Sequence, residues 1–335
     1  MGRYILRRII VMVPVLLGVT MLTFMMAQLL PGDPAQELAG TYATPEQLRV
    51  VRERIGLDKP LHIQYIRYIG RLLRGDLGTS INSRQEISKE LSFFYPATME
   101  LALAAMVLVI FIGIPIGVFT GSRRSPLLNN SVLLFALIGV GLPVFWSGLI
   151  FQLVFYRNLN VLPLGGRLSV NISPPPPVLR MYTIDAALAG QWDVFLDASQ
   201  HLILPAVTLA LGSVASIARI THSSMKSVMR NDYIRTSRAK GLHEKRVIIH
   251  HALRNALIPT ITYVMMQMGW LLGGSILVEN IFSWGGLGTY VWIGIFRLDI
   301  PVIMGITLVT TLTFMFLNLF ADLSYAYLDR RISYD

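Results

Sequence analysis

Only a few residues in this chain have the types and spacing to do chemistry. His243, His250 and His251 share one basic segment, a density that could hold a metal ion. No His-Glu-x-x-His pattern accompanies them, and the neighbouring Lys245, Arg246 and Arg254 disfavour a bound cation, so no metal site is expected. The serines and histidines form no Gly-x-Ser-x-Gly nucleophile elbow. No Gly-x-x-x-x-Gly-Lys-Ser/Thr loop is present to cradle nucleotide phosphates. With no cysteine, disulfides and thiolate chemistry are excluded. The remaining charges of interest are Glu100, Glu279, Asp322 and the Arg297/Asp299 pair, all in or beside apolar runs. An ionisable residue inside a membrane is a functional candidate by default. Glu100, Glu279 and Asp322 nevertheless lie near the ends of their runs, where headgroups lower the cost of a charge. Structural charges at an interface or against a subunit are the favoured reading. A proton relay would need acids near the centres of several helices, and these are missing. No enzyme activity and no cofactor are expected; if transport is active, its energy must enter through another subunit.

The elements that would position these residues are apolar. The chain has 335 residues, 53% hydrophobic and only 14% charged, against about 25% charged in a typical soluble domain. Mean hydropathy is +0.57. The net charge of +10 could suggest a nucleic-acid partner. Its distribution argues against one, because the positive residues sit in short loops between apolar runs. The lipid bilayer is the expected surrounding.

In chain order, a basic start (Arg3, Arg7, Arg8) precedes an uncharged run from Ile9 to Leu30, long enough for one crossing. The run lacks the small-residue cleavage site of a signal peptide before Pro31 and is expected to stay as an anchor. Pro31-Gly32-Asp33-Pro34 is expected to break it. Residues 31–95 then turn polar, with nine basic and eight acidic residues from Asp33 on. Thr44-Pro45-Glu46 reads as a capped helix start, with Leu48, Val51 and Ile55 on one face and Gly56 as its stop. A second amphipathic helix follows Pro60, with Ile63, Ile66, Ile69 and Leu73 aligned, and Gly75 closes it. Asp76 to Ser80 reads as a loop. This is expected to be a small helical cap outside the membrane.

Further spans are expected at Pro96–Thr120 (kinked near Gly113, Pro115 and Gly117), at Asn130–Tyr156 (again with internal Gly139, Gly141 and Pro143) and at His201–Ile220. Two more follow at Ala256–Phe282 and Ile300–Tyr325. Between them lie a basic turn at 121–126 and a long loop at 157–200. That loop holds a polyproline spacer, Pro174 to Pro177, and the acids Asp185, Asp193 and Asp197. Ser283 to Gly288 is a glycine-rich break, with Tyr290 and Trp292 suited to an interfacial belt. The organisation expected is residues 1–30 as tail and first span and 31–95 as cap. Residues 96–325 form the core, with a polar loop at 221–255, and 326–335 form a tail. The fold class is all-α integral membrane with six spans. The N-terminus, the 121–130 turn, the 219–255 segment and the C-terminus together hold sixteen Lys or Arg. The positive-inside rule therefore makes both termini cytoplasmic.

The most polar and basic stretch of the core is Asn231 to Pro259. Asn231 or Asp232 can cap a helix and Gly241 can end it in the left-handed conformation. One reading is an amphipathic helix on anionic lipid heads. Such a helix should carry a broad apolar face of large side chains, and Arg235 to Gly241 offers small and charged ones. Docking on a protein partner is favoured slightly.

Several motifs carry a family likeness. Leu-Leu-Pro-Gly-Asp-Pro (29–34), Gly-Asp-Leu-Gly-Thr-Ser (75–80), Gly-Leu-Pro-Val-Phe-Trp (141–146) and Phe-Ser-Trp-x-Gly-Leu-Gly (282–288) occur in order along the chain. So do Arg-Ala-Lys-Gly (238–241) and Ala-Leu-Arg-Asn-Ala-Leu-Ile-Pro (252–259). With these, the sequence resembles the membrane subunits of binding-protein-dependent ABC importers, in particular the dipeptide/oligopeptide/nickel subfamily and its dipeptide-permease B type. It departs from the general Glu-Ala-Ala-x-x-x-Gly signature, placing Arg235-Thr236-Ser237 before Gly241. His251-Ala252-Leu253-Arg254 likewise replaces the later Ile-x-Leu-Pro part. Gly285 stands where the subfamily usually has proline, which loosens the turn expected there.

The resemblance implies the type I importer permease fold in a bacterial inner membrane. It implies a coupling helix from about Asp232 to Leu242 that sits in a cleft of an ATPase subunit. Asp232, Tyr233, Ile234, Arg235, Thr236, Arg238, Ala239, Lys240, Gly241 and Leu242 would form it, with Arg254 and Asn255 following. Gly241 would allow the sharp turn and the cations would contact the ATPase. Implied partners are a second homologous permease chain, two ABC ATPase chains and an extracytoplasmic substrate-binding protein, with no nucleic acid. The 31–95 cap and the 157–200 loop are candidates for docking the binding protein. The implied cargo is di- or oligopeptides, with nickel chelates, glutathione or opines as alternatives. A self-sufficient secondary carrier is the alternative of a different class.

Overall fold

The protein is described here from a computed structural model, which covers residues 2–29, 34–40, 43–123 and 125–328. The expected break at Pro31-Gly32-Asp33, Arg124 of the basic turn, the tail from Asp329 on and the side chains of Arg3 and Asp322 lie outside the described residues. The described chain is helical, with a lone antiparallel bridge between Thr79 and Glu86 in place of any strand. Helices long and apolar enough to cross a membrane are Leu6–Leu29, Ile87–Gly121, Trp192–Val228, Glu244–Gly273 and Ile300–Phe320. A bent pair supplies a sixth span if counted as one crossing.

The chain forms two compact units. The first comprises Met1–Phe94 and Tyr290–Met315. Here α1 (Gly2–Leu29) is followed by α2 (Pro34–Ala39), α3 (Pro45–Ile55) and α4 (Leu61–Leu72). The α3 start has the expected chemistry: Thr44 Oγ1 accepts from Gln47 N while Gln47 Oε1 accepts from Thr44 N. Such reciprocal capping satisfies two amides that a helix start would otherwise leave open. Within this unit α4 leans on α1. Tyr65 Oη lies 3.0 Å from Thr20 Oγ1, and Phe24 lies within 5.5 Å of the Tyr65 ring and 6.0 Å of the Tyr68 ring.

The Arg297/Asp299 pair singled out above does not form. Asp299 instead accepts from Ser80 Oγ at 2.6 Å and from Asn82 N at 3.0 Å. Burial pushes its pKa up, but these hydrogen bonds outweigh that and hold the carboxyl below its ordinary value. Tyr290 is not a belt residue either. It is buried, stacks on Phe94 at 4.6 Å and donates to the Glu90 carboxylate. Trp292 is 45% exposed, as a belt residue would be.

The second unit comprises Tyr95–Thr289 and Phe316–Asp335. The helix that begins as α5 (Ile87–Leu108) passes through a π-helical turn at Val109–Gly113 into α6 (Ile114–Gly121). The irregularity expected at Gly113 and Pro115 thus takes the form of a π turn, which often marks a functional or strained site. The expected third span is not one continuous helix: α7 (Pro126–Gly141) and α8 (Val144–Phe151, continued by a π-helical stretch to Asn158) meet at 97°. Leu142 is extended at the joint, the conformation forced on a residue preceding proline.

The short α9 (Tyr182–Leu188) leads to α10 (Trp192–Val228), around which the unit packs. At 37 residues, α10 runs about 55 Å, well beyond a hydrocarbon core of about 30 Å. Small residues let α6 and α7 approach it closely. A Cβ on Gly117 would lie 2.4 Å from Thr221 Cβ, and one on Gly139 2.6 Å from Ala215 Cβ. Such contacts are how helices associate where apolar burial gives no preference over lipid. Beyond α10 come α11 (Asp232–Ala239), α12 (Glu244–Arg246), a π-helical turn at Val247–Ala252 and α13 (Leu253–Ile281). Then α14 (Leu287–Phe296) and α15 (Ile300–Leu328) pass into the first unit and back.

Candidate functional site, the segment between α10 and α13

Only three residues separate the end of α10 from the start of α11. Asn231 is extended at the helix start, although its side chain makes no capping bond. Gly241 has φ +76°, the left-handed conformation expected of it. Since a Cβ there would meet no atom within 4 Å, the requirement is purely one of backbone conformation.

A small apolar core fixes α11 to the helices on either side. Ile234 is fully buried together with Met225 of α10 and with Val247, Ala252 and Ala256 leading into α13, and Leu242 packs at its edge. Ser224 Oγ of α10 donates to Ala256 O at 2.9 Å. Tyr233 Oη accepts from Asn255 Nδ2 at 2.9 Å, closing α11 onto α13. Arg238 donates through Nε at 3.0 Å and through one Nη at 2.6 Å to the two oxygens of Glu244, spanning the Gly241 turn. That pairing pushes the Arg238 pKa above its ordinary value.

Of the twelve residues expected to form the site, Ile234 and Leu242 therefore face inward and Tyr233, Arg238 and Asn255 form internal bonds. Asp232, Arg235, Thr236, Ala239, Lys240, Gly241 and Arg254 are exposed. The Arg235–Asp232 contact of 3.6 Å joins side chains that are 75% and 95% exposed and holds neither firmly. Glu244 and Val247 were not among the expected residues. Glu244 had a legible signal, as the only acid among the cations that follow Asp232. What results is a short helix whose inner face is locked to two membrane helices and whose outer face is charged.

The span-end acids have different surroundings. Glu100 accepts from Arg167 Nη2 at 2.7 Å and from Thr183 N and Oγ1, each at 2.7 Å. Glu279 is fully buried and accepts from Thr98 Oγ1 and Gly288 N, both at 2.7 Å. Both acids are tied into the fold. Gly285, beside this second cluster, has φ +72°, which a proline ring cannot adopt. Among the described residues, no group of three or more His, Cys, Asp or Glu could hold a metal ion.

Residues 113–334 match the family model of the binding-protein-dependent transport system inner membrane component, and residues 1–102 match that of its N-terminal region. The chain belongs to this family. The permease is 43% identical to a probable D,D-dipeptide transport system permease protein of Escherichia coli, covering 96% of this chain and 94% of that one. It is 42% identical to a dipeptide transport system permease protein of Alkalihalophilus pseudofirmus, covering 99% of both. A glutathione transport system permease protein of Salmonella paratyphi A is 36% identical over the full length of both chains. The family and the apolar helices agree on an inner-membrane transport component.

Proposed function

We propose that this chain is one of two homologous membrane subunits of an ATP-driven importer of di- or oligopeptides. It lies with both termini in the cytoplasm and couples to two ATPase chains through α11. A substrate-binding protein would deliver the peptide on the opposite face, docking on residues 31–95 and 157–200, and the path would run between the two permease chains. The observation that carries the coupling role is the position of α11. Its buried Ile234 and its Tyr233–Asn255 bond tie it to α10 and α13, so a push on its outer face reaches both helices. Its exposed Arg235 and Lys240 are left to meet an acidic partner. A peptide cargo is supported by the dipeptide relatives at 42–43% identity, against 36% for the glutathione relative. A self-sufficient carrier is disfavoured because Glu100 and Glu279 spend their oxygens on internal donors.

The test is Gly241→Asp beside Gly241→Ala in the assembled transporter. The left-handed backbone disfavours both replacements by about 1 kcal/mol, and aspartate adds a negative charge where a cationic face should dock. ATPase co-purification and ATP-dependent dipeptide uptake should fall strongly in the first and modestly in the second. Intact association and uptake in Gly241→Asp would refute the coupling role. Peptide flux through the chain reconstituted alone would favour the carrier.

A further inference from the structure

Beside the α10–α13 segment, α6 and the turn entering α13 line an open pocket of about 510 Å³. That volume lies within the roughly 300–1,000 Å³ of small-molecule sites. Its walls are apolar, with Ile114 and Val118 on one side and Ile248 and Leu253 on the other, and Arg123 and Lys245 stand at its rim. Arg123 lies two residues past the end of α6, so the rim lies where an apolar span gives way to a basic turn. The Arg123 guanidinium stands 4.2 Å from the centre of the Phe119 ring, which orients it without neutralising it. Lys245 is exposed, and no ion pair with a described carboxylate occupies either cation. Phe119 and Ile249, also lining the pocket, are 50% and 46% exposed, leaving an apolar flank open to the surroundings.

An apolar pocket at the end of a membrane helix, rimmed by two cations with no ion pair among the described residues, complements a molecule with an acyl tail and a negative headgroup. We propose that this pocket binds an acidic phospholipid, its chain against the α6 and α13 walls and its phosphodiester between Arg123 and Lys245. Basic pockets between membrane helices bind acidic headgroups in this way. The lipid would bridge the second span to the segment that leads into α13, making the setting of that segment sensitive to membrane composition. This inference rests on the membrane placement of α6 and not on ATPase docking, so the two readings fail separately.

The experiment reconstitutes the full chain, with its accompanying subunits, into nanodiscs of phosphatidylcholine with or without phosphatidylglycerol. Retained lipid is then counted by native mass spectrometry after mild delipidation. Phosphatidylglycerol should be retained over phosphatidylcholine. Its affinity should fall about fivefold in Arg123→Ala or Lys245→Ala and roughly 30-fold in the double variant. Arg123→Lys should keep most of the binding, which separates loss of charge from loss of fold. Equal retention of the two lipids, or unchanged retention in the double variant, would overturn the proposal. So would a photo-crosslinker at position 249 that captures only protein.

Discussion

The 157–200 stretch, expected as a loop but taking in α9 and the first turns of α10, and the 231–255 segment are two long polar stretches of the same unit, and they use charge in different ways. In the first stretch Arg167, Asp185 and Asp197 are turned inward, while Arg157 and Asp193 stay exposed. Arg167 and Glu100 are only 12% and 3% exposed at 2.7 Å, with the guanidinium also 3.6 Å from the Tyr182 ring centre. Asp185 is buried and accepts from the backbone amides of Val178, Leu179 and Arg180. Asp197 receives both the amide and the hydroxyl of Ser169. In the 231–255 segment the inward contacts are apolar and the charges stay in solvent, apart from the half-exposed Arg238–Glu244 pair. Charge with internal partners holds a connection in one shape. Under the proposed coupling, charge left outside on a firmly seated helix is what a partner would meet.

The sharpest way to break this contrast is to remove one partner of the buried pair. Arg167→Ala would leave Glu100 buried with only Thr183 as donor, a loss of about 3–5 kcal/mol. Thermal unfolding in detergent should show it, together with faster proteolysis of the loop. Next in size is Ile234→Ala, a buried truncation that costs about 2–5 kcal/mol where a site cannot collapse. Because α11 is short, this cost should appear as local loosening. Hydrogen exchange should rise across 232–242 while the spans keep their protection, and under the proposed coupling ATPase association should outlast uptake.

How much of this was readable beforehand follows the range of the interactions. The Thr44 capping box and the left-handed Gly241 are local, set by residues within one turn of each other, and both were legible. The joint at Gly141–Pro143 was legible as a place, since glycines and a proline interrupt the run there, but its angle of 97° was not. An apolar run has the same composition whether it crosses straight or folds at a proline. The Tyr290–Glu90 and Glu100–Arg167 pairs join residues far apart in sequence, so only the packed fold reveals that these charges and this ring are interior. At the candidate site, the cations and the glycine were legible as a group. The division into an inward Ile234 face and an outward Arg235/Lys240 face required the positions of α10 and α13.

Smaller effects separate stabilising from docking charge within the segment itself. Glu244→Gln removes half of the half-exposed pair with Arg238, and such pairs contribute about 0.2–1 kcal/mol. Unfolding should barely move. The pair spans the Gly241 turn, so a drop in uptake much larger than that in stability would mean that it sets the angle of the turn.

The mildest change to the fold is Arg235→Ala combined with Lys240→Ala. Both side chains are exposed, and neither has a partner that would be left stranded. Stability should therefore stay within about 0.5 kcal/mol of the parent. Association with the ATPase should weaken at low ionic strength, and the difference from the parent should shrink as salt screens the surface charges over about 10 Å or less. The matching substitution in the loop, Arg167→Ala, should give the reverse pattern: a large loss of stability and little dependence on salt. If the double variant associated normally at low salt, the outward charge of α11 would be mere solvation, and the contrast between the two connections would carry no functional meaning.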